Sequence, residues 1–147
     1  SGKIVSEKLG YAFYDMDATL PETMKEKLRN GSLITEEEIV GYVKETVEEV
    51  DLLFREKSAV VCLSLFLEKH RLLFKQRFPK ALFFSLEARP EVLQDRLMQR
   101  KNHFFNEKLF KETLVTYEPI GFDHYSIDAN KDLDTVVSSI IGYQNKF

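Results

Sequence analysis

Short apolar runs alternate along the chain with longer stretches in which apolar residues return every third or fourth position. The segments near residues 11–15, 59–63, 81–86 and 124–128, within "YAFYD", "SAVVCLS", "ALFFSLE" and "HYSID", are of the first kind and predict buried strands. A helix is predicted from Pro21 through "PETMKEKLRN" to a stop at Gly31. Thr35 followed by Glu38 forms a capping box that opens a second, long helix. In it Ile39, Val43, Val47, Val50 and Phe54 keep helical spacing, and the intervening Glu and Lys residues form a solvated face. "LEKHRLLFKQRF", a stretch from Pro90 through Arg100, and a closing stretch from Leu133 to about Gln144 complete the helices. Strands alternating with helices of this length predict a three-layer α/β domain, a parallel sheet with helices on both faces and ligands at the carboxyl ends of the strands. Asp15, Asp17, Ser64, Glu87 and Asp128 fall near those ends.

Composition fits a single domain over residues 1–147, since 44% hydrophobic content with 12 Phe suffices for one sizeable core. A net charge of -3 and scattered rather than clustered Lys and Arg argue against a nucleic-acid partner and leave small-molecule chemistry or a protein partner. The single cysteine, Cys62, sits in an apolar run and can form no internal disulfide, which fits a reducing cytoplasm. No apolar stretch approaches the ~18 residues needed to span a bilayer, so no membrane association is expected. His70 and His124 are read as structural, and the spacing of Cys, His and carboxylates suggests no structural metal site.

Chemistry enters through two stretches. Ser1-Gly2-Lys3 matches only the end of the phosphate-binding pattern G-x-x-x-x-G-K-[ST], and Ile4 stands where a magnesium-binding hydroxyl belongs. "RLMQRKNHFF", residues 96–105, places Arg96, Arg100 and His103 on successive turns ahead of Phe104 and Phe105. Here the sequence resembles the gluconokinase family of P-loop small-molecule kinases, whose lid reads R-x-x-x-R-x-x-H-F. Asp15-Met16-Asp17 resembles the family's D-G-D, and Pro21, Lys27 and Gly31 fall on its P and K-M-x-x-G positions. "VVCLS" resembles the strand before its Ser, Arg71 matches the Arg of Y-R-D, and Glu118-Pro119 matches its late E-P.

The resemblance implies a P-loop kinase-like fold with a lid over about residues 101–118, ATP and magnesium as cofactors, and phosphorylation of a small polyhydroxylated molecule. It implies that Ser1, Gly2 and Lys3 meet the phosphates, that Arg96 and Arg100, with Lys101, close over them, and that Asp128 and Asn130 lie near the base. Asp15 would sit by the magnesium ion, and Asp17 would take the substrate hydroxyl as base or orienter, with Ser64, Arg71 and His103 toward the substrate. The family also has a central strand before its loop and more residues between the Lys and the D-G-D, so residues are expected to be missing before Ser1 and after Lys3. A homodimer is left open as the assembly. Departures gather where the family holds its sugar acid: Leu20 replaces a His, Met24 an Asn, Ile39 an Arg, Leu67 a Lys, Leu72 an Asp and Glu112 a Gln. A pocket so altered suits a ligand less anionic than gluconate. Two alternatives stand beside this reading. One is a kinase-like domain without catalysis, acting in binding or regulation; the other is a shikimate- or nucleotide-kinase-like enzyme. The bland readings are that the arginines pair with Glu91 or Asp95 on a helix surface, and that Asp15 and Asp17 form a strand-end turn and cap.

Overall fold

A computed structural model describes residues 2–99, 111 and 115–146. Helix α1 (Gly2–Leu9) ends at Gly10, whose positive φ of 72° turns the chain into β1 (Ala12–Asp15). A 3-10 turn (Met16–Thr19) leads to α2 (Glu22–Asn30), which Gly31 closes in the left-handed conformation. The capping box is formed as expected: Thr35 Oγ1 accepts from the Glu38 amide (3.1 Å), and Glu38 Oε1 accepts from the Thr35 amide (3.2 Å). From it runs α3 (Glu36–Glu56), followed by β2 (Ala59–Cys62) and α4 (Glu68–Arg77). Then come β3 (Phe84–Glu87), α5 (Pro90–Gln99), β4 (Tyr125–Asp128) and α6 (Leu133–Gln144).

All pairing between the described strands is parallel, as expected, but the strands form two pairs rather than one sheet. In the first pair Ala12 lies opposite Ala59 and Asp15 opposite Cys62; in the second Phe84 lies opposite Tyr125 and Glu87 opposite Asp128. Both pairs therefore end on an acidic residue at their carboxyl edge.

Helices cover both faces of the first pair, because successive strand residues point to opposite sides. Val61 and Tyr14 face a core of Met16, Met24, Tyr42, Val43, Val47, Val50 and Phe74, drawn largely from α3. Val60 faces the other way, onto a second core of Val5, Ile127, Ala129, Val136, Val137 and Ile140, which Phe84 of the second pair also joins. The α1–α6 layer thus binds the two pairs together through the side chains of β2 and β3. Among the described residues no helix is long and apolar enough to cross a membrane.

Candidate functional site

The carboxyl end of the first strand pair gathers most of the expected site residues. Gly2 begins α1 directly over Cys62, and a Cβ at Gly2 would fall on Cys62 Sγ and within 3.2 Å of Phe13. The Cα face of Gly2 is filled by the sheet, so a glycine here allows close helix-to-sheet packing. Because Cys62 pairs with Asp15, the first turn of α1 stands at the strand ends, and exposed Lys3 stands there with it. Asp15 Oδ1 accepts from the Asp17 amide (3.0 Å), an N-cap for the 3-10 turn. Asp17 Oδ2 in turn accepts from Ser64 Oγ (2.9 Å), a contact across 47 residues that joins the ends of β1 and β2.

The turn carrying Asp17 is pinned from α3. Tyr42, buried there, donates its hydroxyl to the Met16 carbonyl and lies 2.9 Å from Thr19 Oγ1, while Thr19 Oγ1 donates to the Met16 carbonyl (2.9 Å). Tyr14 donates its hydroxyl to Glu49. Burial, with the Glu49 carboxylate beside it, pushes the Tyr14 phenol up to about 12. Sequence reading missed this girdle, although Tyr14 on β1 and Tyr42 among the acidic residues of the long helix were its visible trace.

At the carboxyl end of the second pair, Asp128 Oδ1 accepts from the Asn130 amide (3.0 Å) and Asn130 Oδ1 from the Arg89 amide (2.8 Å). Arg96 Nη2 donates to the Lys131 carbonyl (3.4 Å). Asp128, Asn130 and Arg96 are thereby brought to one place, where the β4–α6 turn meets α5. Asp132 caps α6, and the Thr135 amide it accepts from holds its carboxyl below the ordinary range. Ser1, Arg100, Lys101, His103 and the greater part of the expected lid, 101–110 and 112–114, lie outside the described residues.

Arg71 is buried and holds protein rather than open space. Its Nε donates to Glu68 Oε1 (3.2 Å), and Nη2 donates to the carbonyls of Glu118 and Pro119, the latter at 3.2 Å. Its guanidinium also lies 5.3 Å from the centre of the Tyr117 ring. The Glu68 amide donates to Glu118 Oε1 (2.8 Å), the Glu118 amide to the Phe66 carbonyl (2.9 Å), and the Gly121 amide to Glu68 Oε2. Residues 117–121 are therefore clamped onto the start of α4. The residues expected to line the pocket, Leu20, Met24 and Ile39, gather at the first core. Met24 is buried in the first core and Leu20 and Ile39 pack against it, because apolar side chains at those positions close on one another. Leu67 is half-buried at the N-cap of α4. His70 is buried with Nε2 2.9 Å from Glu36 Oε1, and His124 Nδ1 meets the Phe122 carbonyl at 2.8 Å, so both are structural as read.

With this geometry in place, the comparisons with known proteins are decisive for the fold. The chain is 28% identical over 162 residues to a probable gluconokinase of Xenopus tropicalis, covering 96% of this chain and 84% of that protein. The chain is similar to gluconokinases. A probable gluconokinase of Dictyostelium discoideum is 27% identical over 155 residues (97% of this chain, 78% of that protein). The thermoresistant gluconokinase of Escherichia coli (strain K12) is 27% identical over 143 residues (93% and 81%). The crystal structure of a gluconokinase from Sinorhizobium meliloti 1021 superposes with a TM-score of 0.81 at 22% identity, over 99% of this chain and 83% of that one. A sugar kinase from Janibacter sp. HTCC2649 gives 0.82 at 20% identity, over 96% and 83%. No family model matches the sequence. The fold of this gluconokinase-like chain is thus the α/β kinase fold that the motifs implied.

Proposed function

We infer that the chain catalyses ATP-dependent phosphorylation of a small polyhydroxylated molecule less anionic than gluconate. The observation that carries this reading is the Ser64–Asp17 hydrogen bond (2.9 Å) at the strand ends, in a chain similar to gluconokinases along nearly its whole length. Phosphoryl transfer asks a protein chiefly for positioning and charge neutralisation. Asp17, oriented by Ser64, accepts or orients the proton of the substrate hydroxyl. Lys3 faces the terminal phosphates from the first turn of α1. Arg96 and Arg100 close on them from the lid side, since a guanidinium fork matches phosphate oxygens. The base lies toward Asp128 and Asn130, while the substrate is assigned to Asp17 and Ser64, with Arg71 supporting their side of the site and His103 joining them by the family motif.

Asp15 fits a magnesium ion by the chemistry of its donor: the ion takes one or two carboxylates and fills its remaining positions with phosphate oxygens and water. When bound it neutralises charge on the transferring phosphates. The preference for a less anionic substrate rests on what these positions no longer carry: Leu20, Met24 and Ile39, packed at the first core, bring no charged or polar side chain that could serve a desolvated carboxylate. These same packed residues, with Gly2 against Cys62, favour a second reading, a kinase-like domain that binds or regulates without catalysis. ATP consumption measured over a panel of sugars, sugar acids and polyols separates the two. Turnover on a neutral polyol or sugar supports the enzyme, preference for gluconate overturns the altered pocket, and no turnover on any of them leaves the second reading standing.

A further inference from the structure

Two large aromatic side chains stand exposed where the chain runs from Ser64 toward α4, and the likeness to gluconokinases gives them no task. Phe66, two residues beyond Ser64, and Tyr117 are each 43% exposed. Their rings meet edge to face, with centroids 6.5 Å apart and an interplanar angle of 65°. Their exposure is not looseness. The Glu118 amide donates to the Phe66 carbonyl (2.9 Å), the Arg71 guanidinium lies 5.3 Å from the centre of the Tyr117 ring, and Glu118 is tied to the start of α4 through the Glu68 amide (2.8 Å). Backbone pairing and a buried arginine thus hold the two rings where water reaches them, at a standing hydrophobic cost that a ligand would offset. Beneath them the Arg71 guanidinium is buried and committed to Glu68, Glu118 and Pro119, which fixes the Tyr117 ring from below.

We propose that Phe66 and Tyr117 form an aromatic wall against which the C–H face of a neutral sugar or polyol packs while one of its hydroxyls is presented to Asp17. The ligand class follows from the chemistry. An aromatic face attracts the weakly positive hydrogens of a carbohydrate ring or chain and offers nothing to a carboxylate. Binding sites of this kind combine aromatic walls with a few fixed polar groups. Ser64 and Phe66 are at most about 7 Å apart along the chain, within reach of one small ligand. This deepens the kinase reading and rests on it for the hydroxyl at Asp17, but the wall itself is tested by binding.

The test uses the whole chain, a panel of neutral sugars and polyols, and two readouts: saturation-transfer NMR of the free ligands, and turnover with ATP. Phe66→Leu and Tyr117→Ala should raise KM for the preferred ligand about tenfold, with kcat and the KM for ATP within about twofold, the signature of lost ground-state binding. Tyr117→Phe, which keeps the ring, should behave as wild type. Equal KM values in Phe66→Leu, Tyr117→Ala and wild type would overturn the wall, as would an equal rise in the KM for ATP. If wild type shows no turnover, ligand saturation that the two substitutions abolish retains the wall and removes the kinase reading. No saturation of any neutral sugar or polyol by wild type overturns the wall.

Discussion

Tyr14 and Gly2 show how single residues tie the strand ends to their support. The Tyr14 phenol donates to Glu49 and is pushed from 10.0 to about 12, with burial the larger cause. A folded-state pKa above the unfolded one means that the contribution is fully present below pH 10.0 and fades as pH rises toward 12. Tyr14→Phe should therefore flatten the alkaline limb of a thermal-stability profile, and ultraviolet difference titration should lose its latest-ionising tyrosine. Gly2 is required by space: a methyl group there collides with Cys62 Sγ in the β2 edge. Gly2→Ala should destabilise the fold by about 1–3 kcal/mol, the range for overpacking. Adding Cys62→Ala should recover part of that loss in urea melts. A double variant no more stable than the single one would place the strain elsewhere.

Elements whose information is local were legible, and those whose partners are distant were not. Helix α3 announced itself through Thr35 and Glu38 and through its apolar spacing, and α6 matched its expected limits from Leu133 to Gln144. Helix α1 was overlooked because a three-residue motif outweighed the pattern beside it: Ile4, Val5 and Leu9 on one side, Lys8 in the last turn and Gly10 as the stop. Two separate parallel pairs are what a sheet without the family's central strand gives, so the split was foreshadowed by the resemblance although the partners of each strand lie far apart in sequence. The α3 cap yields a prediction at this scale. Glu38 receives Lys27 Nζ (2.7 Å) and the Thr35 amide, with Lys27 the larger cause holding its carboxyl below the ordinary 4.5. A depressed folded pKa gives stability that is present above 4.5 and lost as pH falls through the lowered value. Thr35→Ala should cost about 1 kcal/mol at neutral pH and reduce the acid sensitivity of the midpoint, both read from urea melts at pH 7 and pH 4. An unchanged midpoint at neutral pH would mean that the box contributes nothing beyond water.

Across the whole molecule, β2 stands between two cores, and the candidate site residues gather with the packing contacts at the strand ends. The sequence placed Asp15, Asp17 and Ser64 correctly because a D-x-D after one apolar run and a Ser after another are positions on strands, and strands of a parallel fold share one carboxyl edge. How tightly Leu20, Met24 and Ile39 pack at the first core was not legible, because a motif gives an address but not the space left at it. Arg71 had the right neighbourhood, but its partners Glu118 and Pro119 lie 47 and 48 residues away and were not visible. Asp17 is then the residue on which the molecule's function can be tested without disturbing its cores. It lies on the turn outside them, and Asn keeps an acceptor for Ser64 Oγ while removing the charge and the basicity. Asp17→Asn should leave urea stability within about 1 kcal/mol of wild type, the scale of one exposed hydrogen bond. It should lower kcat by about 10²–10⁴ with the KM for ATP unchanged, as expected for a group that acts on the substrate proton. Ser64→Ala should fall between the two, since it frees the carboxylate to turn but leaves it ionised. Full turnover in Asp17→Asn would remove Asp17 from the chemistry and return the 3-10 turn to a purely structural part.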